Sequence, residues 1–236
     1  VGGKKINVSG RNTEREGRDN GFVVAVDDAA EDGVAFAVRT ASVRARRADL
    51  LPYLSPADDD DLYGVEGAKG AYYLLSKECE ELVARIAKSP VPEGSYEANP
   101  LLSAKATVEK LRGAAGLDDD AAALYLQMLA LPDPKKKSLL AFNGWKTAHY
   151  DKAAAALVKK KLLVEGKRER AGRDVFLPGG WERATAIETY KLPLYDRVSF
   201  DRPTMTSAPH ALYARAFERW ASGDKPGFED VTKRKK

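Results

Sequence analysis

Three observations along the 236 residues predict a mainly helical α+β chain. Two short β-rich runs near the start flank a turn-forming segment, apolar residues recur at helical spacing through the middle, and an alanine-rich helix is followed by two strand-like runs. Composition agrees with a folded chain, being 44% hydrophobic, 8% aromatic and 31% charged. A chain of this length buries roughly 70% of its extended surface, so it needs no disulfide or metal staple. Its one cysteine, Cys79, excludes an internal disulfide framework and a Cys-based zinc cluster, and the default setting is reducing and cytoplasmic. The longest uncharged stretches, 121–132 and 203–214, have 12 residues each, short of the roughly 18 to 20 that span a bilayer. The polar start, VGGKKINVSGRNTEREGRDN, carries neither an apolar signal core nor an initiator Met, and reads as a piece of a longer polypeptide.

Residues 1–20, with Gly2, Gly3, Gly10 and Gly17 and no periodic apolar residues, are expected to form a flexible arm. GFVVAV (21–26) and VAFAVRTASVRAR (34–46) flank DDAAEDG, whose Asp and Gly suit a turn, so a β-hairpin is expected there. The spacing of Tyr72, Leu75, Cys79, Leu82, Val83 and Ile86 predicts a helix near 66–88. Pro90, Pro92, Gly94 and Pro100 then mark a linker. The predicted organisation is a hairpin-plus-helix unit over 21–95, a second unit over 100–190, and a C-terminal segment, 191–236.

Within the second unit a helix near 103–115 is closed by Gly116. The next, near 119–131, has Asp118 to Asp120 at its positive start and Pro132 at its end. Leu124, Leu126, Met128 and Leu131 make that helix largely apolar and therefore buried. KKKSLLAF (135–142) reads as a short helix, Asn143-Gly144 as a turn, and KTAHYDKAAAALVKKK (146–161) as a helix of good propensity. LLVEGKRER and RDVFLPG are strand-like and join at Ala171-Gly172. In the C-terminal segment Leu212, Tyr213, Ala216, Phe217 and Trp220 form one apolar stripe, which predicts a helix docked on the body. KRKK (233–236) is a basic end.

The order helix, helix, turn, helix, hairpin resembles the winged helix-turn-helix domains of bacterial DNA-binding regulators, of the MarR/ArsR kind, over about 119–180. SLLAFNGWKTAHYDKAAAALVKKKLLVEG has that family's rhythm of positioning helix, tight turn, recognition helix and Leu-x-x-x-x-Leu-Leu-Val leading into a strand. Leu157, Leu162 and Val164 stand where such domains seat the last helix on the first wing strand. KRERAGRDVFLPGG has basic residues on both sides of a Gly-containing tip. The resemblance implies a winged-helix unit that docks on duplex DNA.

Charge distribution points the same way. Net charge is +4 overall, but residues 135–173 hold twelve Lys/Arg against three acids, a local +9, leaving −5 for the remainder. Lys146, Thr147, His149, Tyr150 and Lys152 lie in the first two turns of the proposed recognition helix, where they can meet bases and phosphates. Lys135, Lys136 and Lys137 before the positioning helix, and Lys167, Arg168, Arg170 and Arg173 around the wing tip, are the proposed phosphate contacts. The recognition helix lacks Arg, Asn and Gln, the side chains that best make bidentate base contacts, so weak or no sequence preference is expected. The competing reading is a winged helix serving as scaffold or protein-protein module, its lysines merely solvated. Either way the rest of the parent polypeptide is an expected partner, and no membrane is.

Enzymatic readings find less support. His149 and His210 are far apart and neither has a partner at metal-ligand spacing. No P-loop, Rossmann fingerprint or nucleophile elbow occurs, and no cofactor is expected. Asp58 to Asp61 lack the alternating spacing of a calcium loop and read as a solvated acidic run. Cys79, among Glu78, Glu80 and Glu81 on an apolar helical face, reads as a buried inert thiol, and Trp145 and Trp181 read as structural plugs.

Overall fold

The structure, a computed structural model, describes residues 4–9, 14–19, 23–28, 33–46, 76–88, 90–182, 187–195 and 207–227. The chain divides into two units, Val1–Glu80 and Glu81–Lys236. The fold is α+β and mainly helical, as the sequence predicts.

The first unit holds an antiparallel meander of β1 (Lys4–Ser9), β2 (Glu14–Asp19), β3 (Val23–Asp28) and β4 (Gly33–Val38), with neighbours in chain order. The expected hairpin is present as β3 and β4, Val23 opposite Val38 and Asp28 opposite Gly33. The arm of residues 1–20 is corrected: two of its stretches are strands, β1 pairing with β2 from Lys4 opposite Asp19 to Ser9 opposite Glu14. A backbone ladder supplies hydrogen bonds whatever the side chains are, so polar strands such as KKINVS and EREGRD escape a reading based on apolar periodicity. The second β-rich run ends as a strand at Val38 and continues as α1 (Thr40–Ala45). Asp58–Asp61, the start of the helix expected near 66–88, and the KRKK end lie outside the described residues.

The division between the units falls inside α2 (Lys77–Lys88), ahead of the Pro-rich stretch. That stretch is anchored in the second unit. Arg85 Nε donates to Glu97 at 2.8 Å, and the Ala98 carbonyl accepts from Gln127 Nε2 at 2.8 Å and from the Tyr213 hydroxyl at 2.7 Å. Asn99 caps α3 (Pro100–Ser103) by accepting from Leu101 N.

Around α5 (Asp119–Ala130) the second unit forms its core, and every residue from Ala121 to Ala130 is buried. Asp118 starts this helix by accepting from Ala121 N at 2.8 Å. The buried amide of Gln127 is satisfied by Ala98 and by reciprocal bonds of 3.0 and 2.8 Å with Asn143. α4 (Lys105–Ala115), α7 (Thr147–Lys159) and α8 (Pro209–Ala221) pack on α5. Gly116 closes α4 and Gly144 closes α6 (Lys136–Asn143), both left-handed at φ 61° and 64°.

After α7 come two hairpins of two-residue strands, β5 (Val164–Glu165) with β6 (Val175–Phe176), then β7 (Trp181–Glu182) with β8 (Ile187–Glu188). A 3₁₀ segment, Thr189–Leu194, follows. The expected docking helix is α8, whose Leu212, Tyr213, Ala216 and Trp220 are buried in the core, with Trp220 edge-on to Tyr125 at 6.3 Å.

Candidate nucleic-acid interface

Gly144 turns the chain between α6 and α7, and Trp145 N donates to Leu140 O at 2.9 Å across that turn. Trp145 is half-buried against the core, the plug expected of it. From Lys146, the N-cap, the start of α7 exposes Lys146, Thr147, His149, Asp151 and Lys152, while Ala153, Ala154 and Leu157 face inward. Ala155 is the exposed residue of the next turn, which keeps the outer face of the helix slim. Lys159, Lys160 and Lys161 are exposed at its C-terminal end, where the helix dipole favours cations.

Tyr150, proposed as a reading residue, is a correction: it is fully buried, 0% exposed. Its ring belongs to the core, and Lys136 Nζ stands 4.7 Å above it. Lys136 is corrected too. Half-buried, it donates to Asp151 Oδ1 at 2.7 Å and lies 4.0 Å from Asp174, so it bridges α6, α7 and the hairpin. Lys135 is exposed and pairs with Asp133 at 2.9 Å. Lys137, Lys146, Lys152 and Lys167 are exposed and have no ion-pair partner among the described residues.

The hairpin differs most from a freely projecting wing. Lys136 N donates to Gly172 O at 3.0 Å, so the descending side of the tip is pinned to the start of α6. Gly172 has φ 59°, and a Cβ there would stand 3.1 Å from Lys135 Cγ. Arg173, expected to be exposed, has a side chain with no solvent access; its Nη2 donates to Glu188 Oε1 at 2.7 Å. Arg168 is half-buried, its guanidinium 4.9 Å from the Phe176 ring and 5.1 Å from that of Trp181, and it donates to Gly179 O at 3.1 Å. Trp181 packs edge-on to Phe176 at 5.7 Å, consistent with a plug. Of the three wing arginines only Arg170 projects into solvent, 3.9 Å from Glu169.

Glu188 and Lys191 are the functional-looking residues that the sequence reading missed. Glu188 is 1% exposed and Lys191 0%. Lys191 Nζ lies 2.8 Å from Glu188 Oε2 and donates to Leu131 O at 2.8 Å, at the end of α5. Burial alone would raise the Glu188 carboxyl, but Lys191 and Arg173 outweigh it and hold the pKa at about 2. Desolvation dominates at Lys191 and lowers it to about 8, only partly offset by Glu188. The i,i+3 spacing of Glu188 and Lys191 was a faint signal; their burial was not legible. Cys79 is free and half-buried rather than buried.

Among the described residues no group of three His, Cys, Asp or Glu could hold a metal ion, and no helix is long and apolar enough to cross a membrane. Comparison with known protein families, with curated proteins and with solved structures finds no match for this chain.

Proposed function

We propose that α6, α7 and the first hairpin form a winged-helix unit that binds duplex DNA through its phosphates, without catalysis and with little sequence preference. One observation carries this reading. Over residues 135–174, setting aside the buried Arg173, eleven basic side chains retain solvent access against four exposed acids, a surplus of seven. Lys137, Lys146, Lys152, Lys167 and Arg170 are the contacts assigned, because they are exposed and not committed to the short ion pairs that hold Lys135 and Lys136. Phosphate contacts of this kind give affinity and orientation but carry no sequence information.

The pinned tip supports a second reading, a winged helix that serves as a scaffold or docks another protein. Gly172 bonded to α6, with Arg168 and Arg173 engaged inside the fold, leaves a shorter reach than a free wing would have. Fluorescence anisotropy of unrelated 20-base-pair duplexes across a salt series decides between them. The DNA reading expects a log K against log salt slope of roughly −3.6 to −4.5 for four or five phosphates. It also expects the triple substitution Lys146→Ala, Lys152→Ala, Arg170→Ala to make that slope shallower by about three on every duplex. Undetectable binding in low salt, or binding that ignores salt, would establish the scaffold.

A further inference from the structure

We propose that the outer edge of β4 pairs, antiparallel, with the same strand of a second copy of this chain, so that two four-stranded sheets become one continuous sheet. A strand carries backbone N–H and C=O groups along both of its edges, alternate residues turning them to opposite sides. In the meander of the first unit β2 and β3 have both edges used, whereas β1 and β4 each have one edge without a strand beside it among the described residues. Proteins protect such an edge with charge, proline, a bulge or a strand too short to pair. β1, KKINVS, has two lysines, and Lys5 is exposed. β4, GVAFAV, has neither a charge nor a proline. It has six residues, as β1 does, and runs opposite β3 from Gly33 to Val38 in unbroken one-to-one register, so no bulge turns it away. One edge of the sheet is guarded and the other is open to pairing.

Symmetry and charge select the occupant. If β4 of one copy met β1 of the next, each addition would leave a fresh edge and the sheet would grow without limit. The lysines of β1 stand against that contact. β4 on β4 uses the same edge of both copies and closes at two. Charges just outside the strand select its direction. Glu31 and Asp32 precede β4 and Arg39 follows it, so antiparallel pairing sets the acids of one copy toward the arginine of the other, where parallel pairing would set like beside like. A two-fold axis normal to the sheet also requires the central residue to stand opposite its own copy, because residues directly opposite in an antiparallel pair share one face. The middle of β4 offers Ala35 or Phe36 for that place, and the strand itself brings no charge to either register.

The test uses the full chain without DNA, so its outcome is separate from that of the DNA reading. Sedimentation equilibrium between about 1 and 200 µM should fit monomer and dimer and nothing larger. Amide hydrogen exchange at the two ends of that range should show alternate amides of Gly33–Val38 slowing at least roughly tenfold with concentration, while those of Lys4–Ser9 are unchanged. Ala35→Lys puts a charge in the middle of the open edge and should weaken the dimer at least roughly tenfold. Asn7→Lys, the matching change on β1, should leave the dimer as it is. Unchanged exchange of the β2 amides shows that the sheet persists in each variant, and should Ala35→Lys not fold, exchange in the unaltered chain decides alone. A monomer up to about 200 µM, assembly beyond two copies, or wild-type affinity in a folded Ala35→Lys variant would each overturn the pairing. So would β4 amides protected equally at every concentration, since another segment of this chain would then cover the edge.

Discussion

At Glu188 one buried carboxylate faces two buried cations, and the balance among them sets how the second unit responds to acid. Its oxygens lie 2.7 Å from Arg173 and 2.8 Å from Lys191, all three side chains being withdrawn from solvent. The folded pKa of about 2 lies below the ordinary value of 4.5, so the unfolded state binds more protons in between. The stabilisation is present above about pH 4.5 and is lost as pH falls toward 2, by roughly 3 kcal/mol. Urea midpoints at pH 7 and pH 3 should show about 2 kcal/mol of that loss, the part already reached at pH 3, and Glu188→Gln should abolish this part of the acid sensitivity. At neutral pH the same substitution leaves Arg173 and Lys191 buried without their counter-ion and should cost about 3–5 kcal/mol. A urea midpoint at pH 7 close to wild type would show that the triad is not closed to water.

Along α7, neighbouring residues divide sharply between packing and solvent. Leu157 and Tyr150 are 0% exposed, and Leu163, just past the helix, is 1% exposed. Leu157→Ala or Leu163→Ala should destabilise by about 2–5 kcal/mol and Tyr150→Ala by about 3–5 kcal/mol, through cavities that surrounding helices cannot close. Lys152→Ala and Lys146→Ala should change stability by less than about 0.5 kcal/mol. Denaturant titration of the five variants therefore reports the orientation of α7 without any ligand. The hairpin depends on a different interaction. Arg168 between Phe176 and Trp181 ties its ascending side to the following turn, and Arg168→Ala should cost roughly 1–2 kcal/mol. Limited proteolysis should then cut faster within 166–173, while a cleavage rate equal to wild type would mean that the Gly172 bond to α6 holds the hairpin alone.

Across the second unit, the end of the chain completes a core whose first helix lies about a hundred residues earlier. α8 supplies Leu212, Tyr213, Ala216 and Trp220 to the cluster around α5, and Tyr213 reaches back to the Ala98 carbonyl. Removing residues 207–236 should uncover one side of α5 and convert cooperative melting of the second unit into a broad, dye-binding transition, which a thermal melt with a hydrophobic probe would detect. A finer probe is Gly179, at φ 118°, where a Cβ would lie 2.7 Å from the Gly227 carbonyl oxygen. The obstacle is backbone, so Gly179→Ala should lower the melting temperature although no polar or apolar contact is removed.

What was legible in the sequence follows from local rules. Capping Asp118, the Gly116 and Gly144 stops, the run of apolar residues in α5 and the alanine face of α7 each act within a turn or two of themselves, and all stand where they were expected. The surplus of basic charge around α7 is equally a property of composition. Tertiary structure alone decided which of those charges face water. Tyr and Arg have long apolar bodies and polar ends, so the same residue suits a surface or a core. Tyr150 went inside because Lys136 and the core close over it, and Arg173 because Glu188 meets it from 15 residues away. Lys191 is held by a carbonyl 60 residues upstream. Each outcome depends on a partner brought close only by folding, which no helical period or charge count can register.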